Sequence, residues 1–268
     1  MLTDRETQFA RSVSAKEVAA HNDFLSSVGP RYVAAEGEVR VMNYMADKFA
    51  QFGLDVQRDE FEALAFEPRV VELTVTAPVE LDLEAGAVFF SQPTPGLSGE
   101  AIFVGNGDEA DYERADVSGK IALVEIDVNA PKGALHADIA RAAWHGAAAI
   151  VFVHCQPWVQ VLMAESGHFG LEKRILPIDP HPIPAVATRS DHWHRAVRLA
   201  AGRPIQLALK VEAASELRTT QNLRAILKGS AQPERKILLI AHRDTVSSPG
   251  VSDNGSGQVI LLELARVL

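Results

Sequence analysis

The chain has 268 residues, of which 47% are hydrophobic and 23% are charged, and this composition indicates a folded globular protein rather than a disordered one. Its 26 basic and 35 acidic residues give a net charge of −9 without a basic cluster, which argues against nucleic-acid binding through phosphate contacts. No apolar run approaches the roughly 18 residues that a membrane helix needs, and no signal peptide is visible at the start. We therefore expect a soluble, cytoplasmic protein with about two domains.

The first stretch of the chain is helical and then extended. Helices are predicted over about 14–27 and 36–52, followed by a strand over about 54–62. The second helix is indicated by apolar residues that repeat with helical spacing, namely Met42, Met45, Phe49 and Phe52. Gly53 comes directly after them, where the left-handed cap of a helix end is expected. The order helix, glycine, strand begins a layered α/β domain.

The second stretch, residues 70–213, has a different pattern, because short β-rich runs alternate with turn residues. The predicted strands are 70–76, 121–126, 148–153 and 205–211, and the predicted helices are about 133–145 and 190–201. The single cysteine, Cys155, excludes an internal disulfide and is predicted to be a buried thiol at a strand end. We interpret this stretch as a compact β-rich module inserted into the first domain. The predicted boundaries are 1–75, 76–213 and 214–268.

The third stretch resumes the α/β pattern. Residues 237–241 form a continuous apolar run, which is typical of a central strand covered on both faces. A glycine-rich loop and an apolar helix from Gly257 follow. With 54–62 and 222–228, a strand over 236–242 gives this sheet about three strands. An uncovered apolar face promotes association, so we expect self-association through this layer.

Candidate chemistry is concentrated directly after the predicted strand. His242 and Asp244 lie just beyond its carboxyl end, where open α/β sheets place their sites. Residues i and i+2 of an extended segment point to the same side, so Asp244 can accept a hydrogen bond from the imidazole and fix its tautomer. Asp253 follows 11 residues after His242, at the start of the final helix, where the helix dipole favours an ionised carboxylate. Because imidazole and carboxylate are zinc ligands, His242 and Asp253 are the candidate metal ligands.

Each part of this pattern also has a simpler interpretation. Asp253 alone is compatible with an ordinary helix N-cap, and His242 with Asp244 is compatible with a satisfied surface pair. Arg243 lies between them and points away from the metal side if the segment is extended, so we predict a structural role for it. The metal site is favoured by the combination of a buried strand, His-x-Asp, a Pro/Gly loop and Asp-Asn-Gly-Ser-Gly before an apolar helix.

At these residues the chain resembles the co-catalytic zinc exopeptidases, a family that includes leucine-type aminopeptidases, glutamate carboxypeptidase and the transferrin-receptor ectodomain. Residues 28–31 (Val-Gly-Pro-Arg) and Glu36-Gly37 are similar to its amino-terminal region. Residues 119–124, 142–149 and 183–186 resemble its protease-associated insert. The resemblance extends over nearly the whole chain. It implies an α/β fold: a partial zinc-exopeptidase α/β/α sandwich with a mixed sheet and an inserted β-rich protease-associated domain.

The resemblance also implies roles for the candidate residues. His242 would bind the first of two zinc ions, Asp244 would orient His242, and Asp253 would bridge both ions. A cis peptide bond is implied between Asp253 and Asn254. The implied activity is that of a zinc-dependent aminopeptidase, whose partner is a peptide substrate with a free amino terminus. No nucleic-acid or membrane partner is expected.

The chain departs from the family after the final helix begins. Family members continue with two consecutive glutamates, the first a general base and the second a zinc ligand, and later with an aspartate and a histidine ligand. Only 11 residues follow Gly257, and Glu263 is the one acidic residue among them. We therefore expect the chain alone to be inactive, as the amino-terminal part of such an aminopeptidase.

Two alternatives remain open. The first is a non-catalytic protein-interaction module that retains the peptidase-like fold, as the transferrin-receptor ectodomain does. The second is the other co-catalytic zinc family, of deacylases and dipeptidases, which also uses His-x-Asp-Thr. That family places the bridging aspartate much farther from the histidine, and its insert does not resemble this one.

Overall fold

The computed structural model describes residues 3–126, 134–154, 181–229, 232, 234–246 and 248–268. The chain forms two compact units, the first made of Met1–Ala65 with Leu217–Leu268 and the second of Phe66–Glu216. The chain therefore leaves the first unit, forms the second, and returns to the first. The domain boundaries drawn from the sequence, after residues 75 and 213, stay a prediction. Cys155 lies outside the described residues, so its burial stays a prediction as well.

The described ranges contain helices and strands that we number in chain order. The helices are α1 (Asp4–Ser12), α2 (Ala15–Val28), α3 (Glu36–Gln51), α4 (Glu109–Arg114), α5 (Ala134–Trp144), α6 (Ser190–Ala200) and α7 (Ser256–Val267). The strands are β1 (Asp55–Ala77), β2 (Leu81–Leu83), β3 (Ala85–Ala87), β4 (Thr94–Phe103), β5 (Ile121–Ile126), β6 (Ala149–His154), β7 (Ala185–Arg189) and β8 (Gln206–Ile226). Among the described helices, none has the length and apolar character that a membrane crossing requires. The cytoplasmic location stays a prediction.

In the described residues the strands form one eight-stranded sheet, in the order β2-β1-β8-β4-β5-β6-β7-β3. The pairs β4–β5, β5–β6 and β6–β7 are parallel, whereas β1–β2, β4–β8 and β3–β7 are antiparallel. The predicted mixed sheet in an α/β protein is therefore confirmed. β1 and β8 have 23 and 21 residues, and each contains two stretches that the sequence pattern predicts as separate strands.

The core of the second unit lies on the parallel strands. Every residue of β6 is buried, as are all but one of β5, because both strands are apolar on both faces and lie inside the sheet. Ile139 and Ala142 of α5 pack onto this layer. The strands predicted over 121–126 and 148–153, and the two helices predicted over 133–145 and 190–201, are confirmed within one to two residues.

The core of the first unit is made by three helices, α2, α3 and α7. The hydrophobic cluster between them is formed by the buried side chains of Leu25, Val41, Met45, Phe49, Val259 and Leu262. The helix predicted over 36–52 and its glycine stop are confirmed, since α3 ends at Gln51 and Gly53 has a φ of +84°. Helix α1 is not among the helices predicted from the sequence. Its signal is a capping box, in which the Thr3 hydroxyl accepts from the Glu6 amide while the Glu6 side chain accepts from the Thr3 amide.

The prediction of a buried central strand over residues 237–241 is wrong. The segment forms no strand, and the side chains of Ile237, Leu238 and Ile240 are 91%, 79% and 77% exposed. A strand exists only where a neighbour pairs its N–H and C=O groups, and the described residues place no strand beside this segment. Apolar composition alone therefore did not produce a strand here.

The packing of α7 predicts that truncating two of its side chains changes the free energy of unfolding by different amounts. Leu262 is fully buried in the first unit, so we expect Leu262→Ala to lower the free energy of unfolding by about 2–5 kcal/mol. Ile260 on the same helix is more than half exposed, and we expect Ile260→Ala to change it by less than about 0.5 kcal/mol. Urea denaturation followed by circular dichroism measures both. Equal losses would contradict the burial of this helix face.

Candidate metal site

The structure brings His242, Asp244 and Asp253 together in the first unit. The Nε2 atom of His242 lies 3.0 Å from Oδ1 of Asp253. On the other side of the ring, Nδ1 lies 3.2 Å from the backbone oxygen of Asp244 and 3.5 Å from its carboxylate Oδ1. Asp244 thus faces the ring, as the i, i+2 spacing predicts, although its backbone oxygen is the nearer acceptor.

The candidate ligands are open to solvent, and one contact between them lacks the positive charge that would balance it. The side chains of His242 and Asp253 are 51% and 89% exposed. Both ring nitrogens face oxygen acceptors, whereas a neutral imidazole carries one N–H and can donate to only one of them. The contact at the other nitrogen therefore needs a proton or another cation between nitrogen and oxygen. A metal ion held by Nε2 and the Asp253 carboxylate meets this need.

The number of donors is smaller than a complete zinc site uses. In the part of the chain that the structure describes, no group of three or more His, Cys, Asp or Glu side chains could hold a metal ion. A catalytic zinc usually has three protein ligands and one open position. The residues at hand fit zinc in donor type and in proximity, and they make up part of a site.

The interpretation of Asp253 as an ordinary N-cap is wrong. Helix α7 has Gly255 at its N-cap position and no side-chain cap hydrogen bond there. The amide of Gly257, in the first turn, instead donates to Oδ1 of Asn254 at 3.2 Å. The Asp253 carboxylate is thereby left to face His242. The peptide bond between Asp253 and Asn254 is cis, as the family resemblance implies.

The turn before Asp253 requires glycine at position 250. Gly250 has a φ of +54°, in the left-handed region that other residues adopt only with strain. A Cβ atom here would lie 2.1 Å from Cγ2 of Thr245 and 2.6 Å from the backbone oxygen of Asp253. A side chain at this position would therefore push apart the two ends of the loop that carries the site.

Arg243 has the structural role that its position in the extended segment predicts. Its Nη2 donates to Oε1 of Glu38 in a largely buried ion pair, and also to the backbone oxygen of Gln221 at 2.8 Å. The Glu38 carboxylate further accepts from the hydroxyl of Thr220 and from the amide of Ala34. Because its side chain is engaged with α3 and β8, Arg243 anchors the backbone between His242 and Asp244.

Sequence reasoning missed Glu38 and Gln258 as parts of this site. Gln258, in the first turn of α7, is buried, and its Nε2 donates to the backbone oxygen of His242 at 3.0 Å. The sequence holds one signal for Glu38, because a carboxylate at a buried position of an amphipathic helix requires a partner. Gln258 likewise is a polar residue on the buried face of α7. Neither signal identifies the partner.

The sequence and the fold are similar to those of known peptidases. Residues 222–268 match the model of peptidase family M28. Leucine aminopeptidase 2 of Trichophyton rubrum is 32% identical over 190 residues, which are 70% of this chain and 35% of that protein. Aminopeptidase YwaD of Bacillus subtilis (strain 168) is 27% identical over 253 residues, which are 90% of this chain and 48% of that protein. The chain therefore spans between a third and a half of these curated relatives.

A solved structure gives the same result for the fold. BSAP, a zinc aminopeptidase from Bacillus subtilis, is 25% identical with a TM-score of 0.68, covering 96% of this chain and 58% of that chain. Fold and similarity together define the class, which is that of the co-catalytic zinc exopeptidases. Within this class, residues 222–268 match peptidase family M28, and they include His242, Asp244 and Asp253. The family resemblance drawn from the sequence is thus confirmed.

The buried ion pair behind the site predicts a stability difference between two glutamates of α3. Glu38→Gln leaves the Arg243 guanidinium buried without its carboxylate, so we expect a loss of about 3–5 kcal/mol in the free energy of unfolding. Glu36→Gln is the matched control, because Glu36 lies in the same first turn but is exposed. Urea denaturation at neutral pH measures both variants. A Glu38→Gln variant as stable as its control would contradict the pairing.

Proposed function

We propose that this chain carries part of the metal centre of a zinc-dependent aminopeptidase. His242 and Asp253 are the proposed zinc ligands, Asp244 is the proposed orienting residue, and the complete centre holds two zinc ions. The observation that carries the proposal is the 3.0 Å approach of His242 Nε2 to the Asp253 carboxylate. The similarity to a zinc aminopeptidase of known structure supports zinc as the metal.

The three residues have distinct tasks in this proposal. Zinc held by His242 and Asp253 would act as a Lewis acid toward the scissile carbonyl and toward the attacking water. In the proposed tautomer His242 carries its proton on Nδ1 and donates it to Asp244, whose backbone oxygen lies 3.2 Å away, and Nε2 is then unprotonated and free to ligate. Asp253 contributes the negative charge. A peptide with a free amino terminus is the proposed substrate, since the relatives are named as aminopeptidases.

We also propose a fuller assignment of the two units. Residues 76–213 are the proposed protease-associated insert, and the remainder is the proposed part of a zinc-exopeptidase α/β/α sandwich. The interruption of the first unit by the second supports an insert. The parallel strands β4 to β7, with the crossover helices α4 and α5 between them, give this segment a core of its own.

The metal assignment predicts that zinc binding depends on Asp253. We expect isothermal titration calorimetry to show micromolar or tighter zinc binding by the chain and its loss in Asp253→Asn, because the carboxylate is one of two candidate ligands. Asp47→Asn is the control, since Asp47 is exposed on α3 in the same unit. Because two ligands do not complete a catalytic site, we expect no detectable hydrolysis of amino-acyl anilides by this chain with zinc added.

Two results would contradict these expectations separately. Absence of zinc binding by the unaltered chain would remove the metal centre from the proposal. Robust, metal-dependent turnover by the purified 268-residue chain would be compatible with the metal centre. It would refute the expectation that the centre is too incomplete for catalysis.

A second candidate function is a non-catalytic protein-interaction module. The exposed apolar side chains of residues 237–240 favour it, because contiguous apolar surface marks interaction sites. In this alternative the chain self-associates through that segment. Calorimetry separates the two functions, since the module requires no zinc.

Self-association through residues 237–240 has a direct test. We expect the double variant Leu238→Lys/Ile240→Lys to shift the chain toward monomer in sedimentation velocity. The reason is that association would then bury two charged side chains instead of two apolar ones. Trp144→Lys is the control, since Trp144 is an equally exposed apolar side chain of the second unit. Association that persists unchanged in the double variant, or that is lost equally in the control, would refute this interface.

A further inference from the structure

A buried arginine lies behind the loop that joins the two candidate metal ligands. Arg31 comes shortly after α2 and is fully buried. Its guanidinium donates hydrogen bonds to backbone carbonyl oxygens of that loop. The acceptors are Arg243 for Nε at 2.8 Å, Pro249 for Nη1, and Gly250 for Nη2 at 3.3 Å. One side chain therefore holds the backbone directly after His242 and again shortly before Asp253.

The main chain of Arg31 holds the middle of the same loop. Its amide donates to the hydroxyl oxygen of Thr245 at 2.9 Å, and its carbonyl oxygen accepts from the Thr245 amide at 2.9 Å. The Thr245 hydroxyl in turn donates to the backbone oxygen of Ser248 at 3.0 Å. Arg31 thus contacts the loop at its start, middle and end.

Arginine is suited to this position for geometric and electrostatic reasons. Its planar guanidinium presents five N–H donors in a fixed fork, whereas the ammonium of lysine acts as a single point. A buried charge is tolerated only when hydrogen bonds replace its water. Burial lowers the pKa of Arg31, and the nearby Asp244 carboxylate raises it. All three hydrogen bonds described for this side chain go to loop carbonyls.

We propose that Arg31 is a positioning residue of the candidate metal site, which sets the separation of His242 and Asp253 by tying together both ends of the loop between them. The predicted effect of Arg31 on metal affinity rests on the proposed function. The fixing of the loop is a property of the metal-free chain. The two can therefore be tested separately.

The test uses the full chain with the variants Arg31→Lys and Arg31→Met. Amide hydrogen exchange without zinc reports on the loop through the amides of Thr245 and Gly255, which donate to Arg31 and Gly250. The amide of Val39 in α3 is the reference for overall stability. Zinc alone is the probe for affinity, measured by calorimetry. Arg266→Gln is the matched control, because Arg266 also binds a backbone oxygen in this unit, that of Ser12, but at the far end of α7.

We expect exchange of the two loop amides to accelerate more than that of Val39 in both Arg31 variants, and zinc affinity to fall by about 10–100-fold. Arg31→Lys should lose less, since it keeps the charge and part of the hydrogen bonding. The control should retain loop protection and zinc affinity. If Arg31→Met does not fold, Arg31→Lys decides the outcome.

Two outcomes would overturn the inference. One is unchanged exchange of the loop amides in a folded Arg31 variant, whatever its zinc affinity. The other is accelerated exchange with zinc affinity equal to that of the unaltered chain. If the unaltered chain binds no zinc, the proposed function fails, whereas accelerated exchange in the variants still supports the fixing of the loop by Arg31.

Discussion

The described backbone from His242 to Gly250 forms neither a helix nor a strand, and a short π-helix, Val251–Gly255, follows it. Its inward-facing polar groups still need partners, because an unpaired buried N–H or C=O costs as much as a lost hydrogen bond. Side chains from elsewhere in the first unit provide them: Arg31 to three carbonyl oxygens, and Gln258 to a fourth. These buried contacts, together with the Arg243–Glu38 ion pair, keep the imidazole at the carboxylate.

The site therefore has a buried rear and an open front. Behind it, Glu38 and Arg243 form a largely buried ion pair, and hydrogen bonds of this kind are stronger where water is excluded. In front, the faces of His242 and Asp253 that could bind a metal are exposed. A rigid support with exposed donors is the arrangement that a preorganised ligand site requires. The same asymmetry explains why the residues that hold the site are not the residues that would carry its chemistry.

Local sequence patterns predict an element correctly where the periodicity of that element alone determines its structure. The face of α3 with Met42, Met45 and Phe49 follows from spacing alone, and so does the glycine stop after it. They predict an element wrongly where its structure depends on pairing with other segments of the chain. The apolar run 237–241 has the composition of a buried strand, yet it lacks a pairing partner among the described residues. The pattern likewise predicts two strands, 54–62 and 70–76, where the structure has the single strand β1, whose residues 73–75 pair with β2.

For the candidate site, the residue types and their order along the chain were enough to single out His242, Asp244 and Asp253. An i, i+2 spacing places two side chains on one side of an extended segment, and a short loop with Gly250 can return the chain to the first of them. The supporting residues were decided by the tertiary structure. Glu38 lies 205 positions from Arg243, and Arg31 lies 212 positions from it. Such contacts form when packed helices bring distant segments together, and no local periodicity records them.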